Sequence, residues 1–314
     1  MLETLFSVGY AASIIWAGWR VARDLHGPTD RRQWMLVGFA AAALVVTWGF
    51  MLQMVLIDMT AYPSFTAWLS ESHLFFDAYR DVTGTAAAWW WSAQLIAWVV
   101  AAVCFAHREG EQHGIRIVPY VWLGLAVAMS VALPLFLLRL AQSAHQRGLS
   151  PTRLTPSLLT CTVLALATVI AVPIAGPEAV FALVVGSHAA FVLPGVFRAE
   201  PPLRMSATVL YCCVAVVATG IHWLATMAVW QSFGAAAPRA LVDAVLARPA
   251  QASITADLLF TVLVSALAVG AHSTRARGWL YGPLALVLSP ATACIALILM
   301  PSSTPRQSDR GPSP

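Results

Sequence analysis

The chain has 314 residues, of which 59% are hydrophobic and 10% charged, whereas a soluble domain carries about 25% charged residues on its hydrated surface. A mean hydropathy of +0.75 over the whole length implies one membrane domain and leaves no stretch for a separate soluble catalytic domain. The net charge of +4 comes from Arg without any Lys, set singly or in pairs between apolar stretches, which excludes a retinal-type Schiff base and argues against nucleic acid as a partner.

Crossing a ~30 Å hydrocarbon layer takes about 20 mostly apolar residues, because backbone groups find no water there. Segmented by that rule, the sequence predicts an all-α, polytopic transmembrane helical bundle of about nine helices, or eight. The first, Leu5–Val21, lacks a basic leader and is expected to be retained. Arg20, Arg23, Arg31 and Arg32 follow it and place that loop on the cytoplasmic side of a bacterial inner membrane. Trp34–Leu56 is the second span.

Residues 58–85 are too long and polar for a plain turn. Within them Thr66–Arg80 is expected as one amphipathic interfacial helix, its Trp68, Leu69, Phe75, Phe76 and Tyr79 dipping into lipid. The further spans are Ala86–His107, Ile117–Leu138, Ser157–Ala175, Ala179–Phe197, Met205–Gln231, Ile254–His272 and Trp279–Met300. The fifth and sixth of the nine are joined by a tight hairpin at Ala175-Gly176-Pro177-Glu178, and Arg239–Arg248 reads as a second surface helix. Residues 1–300 thus make one domain, and the Ser/Pro-rich residues 301–314 a disordered tail.

An ionisable group at membrane depth costs about 2.5–3.5 kcal/mol, so each should face the interior and have a partner. The candidates are His188, His222 and Asp257 within helices, with Asp58 and Glu178 at helix ends. Asp257 suits either of two roles: a carboxylate in the first turn of its helix, stabilised by the dipole, or a protonated acid that donates to a substrate. His73 and Asp77, four apart, share a helical face that Asp81 continues. With Glu71 they could relay a proton, or simply form a solvated polar face.

Thirteen Trp residues are present, among them Trp89-Trp90-Trp91 and Trp98. They can anchor helices at the headgroups or wall a pocket that stabilises a carbocation. Gln94, one turn from Trp90 and Trp91, needs a polar partner. His188 and His222 could clamp a haem iron from two sides. The five Cys show no CxxC and no zinc spacing, and diphosphate/magnesium, HExxH, GxSxG and P-loop motifs are missing. No metal and no cofactor is therefore expected.

The stretch Ser64-Phe65-Thr66-Ala67-Trp68-Leu69-Ser70-Glu71-Ser72-His73-Leu74-Phe75-Phe76-Asp77-Ala78-Tyr79, with Trp89-Trp90-Trp91-Ser92-Ala93-Gln94-Leu95 and Ser253–Phe260, resembles fungal-type integral-membrane terpene cyclases of meroterpenoid pathways, over about residues 58–300. The resemblance implies a metal-independent cyclisation of a lipid-soluble isoprenoid substrate, begun by protonation. Asp257 or Glu71 would be the acid and Asp77 or His73 the second acid/base group. Trp90, Trp91, Gln94, Trp223, His222 and Phe76 would line the substrate. Two alternatives stand beside it: a non-catalytic permease or lipid-binding protein, and a haem or quinone redox protein.

Overall fold

The computed structural model describes residues 2–143, 154–172, 206–272 and most of 284–299, with scattered positions from 175 to 203. The described residues are helical: α1 (Leu2–Asp24), α2 (Arg31–Met59), α3 (Phe65–Glu71), α4 (Leu74–Thr83), α5 (Ala86–His113), α6 (Val118–Ala126), α7 (Met129–Gln142), α8 (Pro156–Ala171), α9 (Leu193–Val196), α10 (Ala207–Phe233), α11 (Ala237–Val245), α12 (Pro249–His272) and α13 (Pro290–Leu299). Among the described residues four helical stretches are long and apolar enough to cross a membrane: Arg31–Met59, Ala86–His113, Thr208–Val245 and Pro249–Leu267. Much of their apolar surface is uncovered. Val45 is 73% exposed on α2 and Val216 72% on α10, and Leu52, Leu224, Trp230 and Leu259 are exposed as well. A soluble monomer rarely leaves so much apolar area bare.

The core lies around α5, which packs against α4, α7, α8, α10, α11, α12 and α13. Its small residues let those neighbours approach: Ala93, Ala97, Ala101 and Cys104 are buried, and so is Trp98. Thr85 opens the helix by accepting the Ala88 N–H at 3.1 Å. The helix then runs six residues past the apolar stretch read from sequence, because its polar last turns hold themselves through His113–Glu109 and His107–Glu111 contacts. Gly114 ends it at φ 64, where a side chain would be strained, and the Ile115 N–H closes the cap on the Gly110 carbonyl at 2.8 Å.

Two expected helices are each interrupted. The interfacial stretch is two helices, since Ser72 is extended (φ −67, ψ 139) and its Oγ accepts the Leu74 N–H at 3.1 Å, starting α4 afresh. The span Ile117–Leu138 is broken at Ala128 (φ −174, ψ 143) into α6 and α7. Conversely, α12 begins five residues before the expected Ile254, with Pro249 as its first residue, a position where a missing N–H costs nothing. The helix expected at Arg239–Arg248 is present as α11.

Gly110 is buried where α6 begins, and a Cβ there would lie 2.3 Å from Ile117 Cγ2 and 3.2 Å from the Ile115 carbonyl oxygen. Gly110→Ala should therefore destabilise the fold by about 1–3 kcal/mol through overpacking. Thermal unfolding in detergent measures this, and adding Ile117→Ala should recover part of the loss.

Candidate functional site

Asp257 stands two turns into α12, yet its side chain serves another helix. Oδ1 accepts the Ser130 N–H at 2.6 Å and Oδ2 the Met129 N–H at 3.2 Å. Met129 and Ser130 open α7, and the first N–H groups of any helix have no acceptor within it. The carboxylate thus fills both the hydrogen-bonding need and the positive end of the helix dipole. The carbonyl side of the same break is closed by two more helices. Tyr10 on α1 donates its hydroxyl to the Ala126 carbonyl, and Trp48 on α2 donates its indole N–H to the Val127 carbonyl at 3.1 Å. Gly124 lets the turn fold back, since a Cβ there would lie 2.6 Å from Met129 Sδ.

The sequence reading sets Asp257 in the first turn of its own helix; it stands two turns in, and its carboxyl meets the start of α7 instead. Both carboxyl oxygens act as acceptors, and Thr261 donates its hydroxyl to the Asp257 carbonyl. None of the other sequence-predicted acids is among its hydrogen-bond partners. Glu71 and His73 are exposed, at the end of α3 and the start of α4. Asp77 lies 3.4 Å from Arg80 in a partly exposed ion pair, worth at most about 1 kcal/mol. Phe76 is half-buried beside it in sequence. Asp58 is a tether: it accepts the Trp68 indole N–H at 2.7 Å and the Ser72 hydroxyl at 2.6 Å, tying α3 to the end of α2. Burial pushes the Tyr79 phenol up to about 12, so it remains a donor at neutral pH.

The remaining predicted residues do come together, between α5 and α10. The Trp90 indole N–H donates to Thr226 Oγ1 at 2.9 Å, and one turn on, His222 Nδ1 lies 3.2 Å from Gln94 Oε1. Trp90 and Trp223 flank the His222 ring at centroid distances of 5.7 and 5.9 Å. Trp91 stands edge-on to Trp90 at 4.9 Å and donates to the Leu241 carbonyl of α11 at 3.0 Å. Gln94 and His222 are buried, whereas Trp223 is 49% exposed on the outer, apolar face of α10. The cluster is thus deep at its amide end and open at its indole end.

Sequence reasoning missed several members of these networks. Tyr10 and Trp48 lie in apolar runs with nothing to mark them as partners of a broken helix. Arg139 falls one residue past the expected span and pairs at 3.3 Å with Asp24, which also accepts the Tyr120 hydroxyl at 2.9 Å. Gln251 is buried on α12, its Nε2 donating to Thr255 at 3.1 Å. His188 and Glu178 lie outside the described residues. Among the described residues no group of three His, Cys, Asp or Glu side chains is placed to hold a metal ion, and the five Cys are separate thiols.

Residues 210–300 match a family described as a protein of unknown function, DUF2834. The match takes in most of α10 and all of α11 to α13, and with them His222, Trp223 and Asp257. No curated protein and no solved structure matches the chain.

Removing the Asp257 carboxylate leaves two buried N–H groups bare, at about 1–3 kcal/mol each. Asp257→Ala should accordingly unfold at markedly lower temperature than wild type. Asp257→Asn, which keeps one acceptor oxygen, should lie between the two, and Glu71→Gln should match wild type. Thermal unfolding monitored by circular dichroism in one detergent ranks all four.

Proposed function

We propose that the chain is a polytopic protein of about nine membrane-crossing helices in the bacterial cytoplasmic membrane, and that it holds a lipid-soluble isoprenoid compound among its helices without acid catalysis. Support for the bilayer comes from the bare apolar faces of α2, α10 and α12, which need hydrocarbon as their cover. Ala128 lies in the middle of the run from α6 to α7 and is met there by the middles of α1, α2 and α12. Irregular backbone at that depth persists where surrounding protein satisfies it.

The observation that carries the non-catalytic reading is the commitment of both Asp257 oxygens to α7. A protonation-initiated cyclisation, which the resemblance implies, needs a donating carboxyl beside aromatic faces. Here the aromatic cluster of Trp90, Trp91 and Trp223 is joined by an amide, an imidazole and a threonine. Such a cluster is equipped to bind rather than to protonate. Trp223, exposed toward the surrounding lipid, gives a lateral way in from the bilayer.

Purification from bacterial membranes in mild detergent, followed by organic extraction and mass spectrometry, tests this. The expected result is an isoprenoid compound enriched over the bulk membrane extract and recovered unchanged after incubation with the protein. Conversion of farnesylated or geranylated phenols into cyclised product, lost in Asp257→Asn, would instead establish the cyclase. Absence of any enriched isoprenoid would remove the binding reading.

A further inference from the structure

The hydrogen-bonded rungs between α5 and α10 stop one turn short. Trp90 reaches Thr226 and Gln94 reaches His222, but Trp98, the next residue on that stripe of α5, donates to nothing among the described residues. Its indole nitrogen is buried and the residue is 1% exposed. Gln94 is also 1% exposed, and its Nε2 has no acceptor among the described residues. Turning the Gln94 amide over would exchange its two ends and still leave one bare. An indole, by contrast, only donates. Two polar side chains four residues apart on one helix, each almost wholly buried, are thus open at adjacent points of one surface. A buried donor without a partner is costly, and natural proteins leave few of them.

We infer that Gln94 and Trp98 form the head-group site for a neutral, membrane-soluble carbonyl compound of the quinone class, whose oxygens accept from Gln94 Nε2 and Trp98 Nε1. The ligand must offer an acceptor, because the Trp98 indole can only donate, and with the Gln94 amide as placed a second acceptor meets Nε2. Neutrality follows from the two residues themselves: an amide and an indole carry no charge to offset one on the ligand. A charged head group there would stay uncompensated at high cost. Lipid solubility follows from the entry side. Trp223 packs edge-on against His222, and with Leu224 and Met227 it lies on the exposed apolar face of α10, where an alkyl or isoprenoid tail can stay in the bilayer.

This rests on the reading of the protein as a holder of lipid-soluble compounds, and names the atoms that would do the holding. It assigns binding alone, with no electron transfer.

The test is equilibrium binding of a short-chain prenylated benzoquinone to the full chain in nanodiscs, beside an analogue in which both carbonyls are replaced by methylene groups. Saturable binding of the quinone is expected, with the analogue, Trp98→Phe and Gln94→Leu each about tenfold weaker, as loss of one buried hydrogen bond implies. Trp98→Phe should also keep or raise the melting temperature of the ligand-free protein, since it removes a bare donor; that separates loss of a contact from loss of the fold. No saturable binding, or binding equal in wild type and both variants, overturns the site. So does an experimental map in which ordered water satisfies both donors in the presence of the quinone. Isoprenoid enrichment that persists in Trp98→Phe and Gln94→Leu would leave the binding function standing while removing this site; loss of enrichment in wild type as well would remove the function itself.

Discussion

The grip of the Asp257 carboxylate on the first two N–H groups of α7 is the constraint around which this protein is arranged. A helix that stops and restarts in an apolar interior exposes donors on one side of the gap and acceptors on the other. Neither can be left bare where no water competes. Here the donors go to α12 and the acceptors to α1 and α2, so one interruption fastens four separate parts of the chain. Leaving either amide without its acceptor would cost about 1–3 kcal/mol. The same arrangement gives Asp257 a structural role at the start of α7, each carboxyl oxygen accepting one backbone amide.

How far the sequence disclosed this can be followed residue by residue. Asp257 stood out because a carboxylate inside an apolar run must have a partner, and that logic is independent of the fold. Its partner could not be read, since hydropathy passes over Val127 and Ala128 without a mark and shows one continuous span. Gly124 and Pro134 were the only local hints of irregularity, and both occur in unbroken membrane helices too. The division of Thr66–Arg80 at Ser72 was hidden for a similar reason: the apolar period continues through it, while the hydrogen bonds of Ser72 to Asp58 and Leu74 are a tertiary event. The helices themselves were legible, as was the association of Gln94 with the Trp-rich start of α5, because a polar amide on a buried face has few possible neighbours.

The two networks divide the labour between permanence and exchange. Around Asp257 the Met129 and Ser130 N–H groups and the Ala126 and Val127 carbonyls are each met by a side chain of another helix, which favours a fixed joint. Around Gln94 and Trp98 donors remain open beside aromatic rings, one of which lies at the lipid-facing surface, which favours a place where something arrives and leaves. α5 touches both, packing against α7 and α12 and against α10. An occupant at Trp98 would therefore press on a helix that also bears on the joint.

Hydrogen exchange at the amides of Met129 and Ser130, followed by mass spectrometry in nanodiscs, reads the central interaction directly. The account predicts that both amides exchange as slowly as the middle of α7 in wild type and in Glu71→Gln, and quickly in Asp257→Ala, which removes the acceptor they share. Equal protection in Asp257→Ala and wild type, with the fold intact in both, would contradict it.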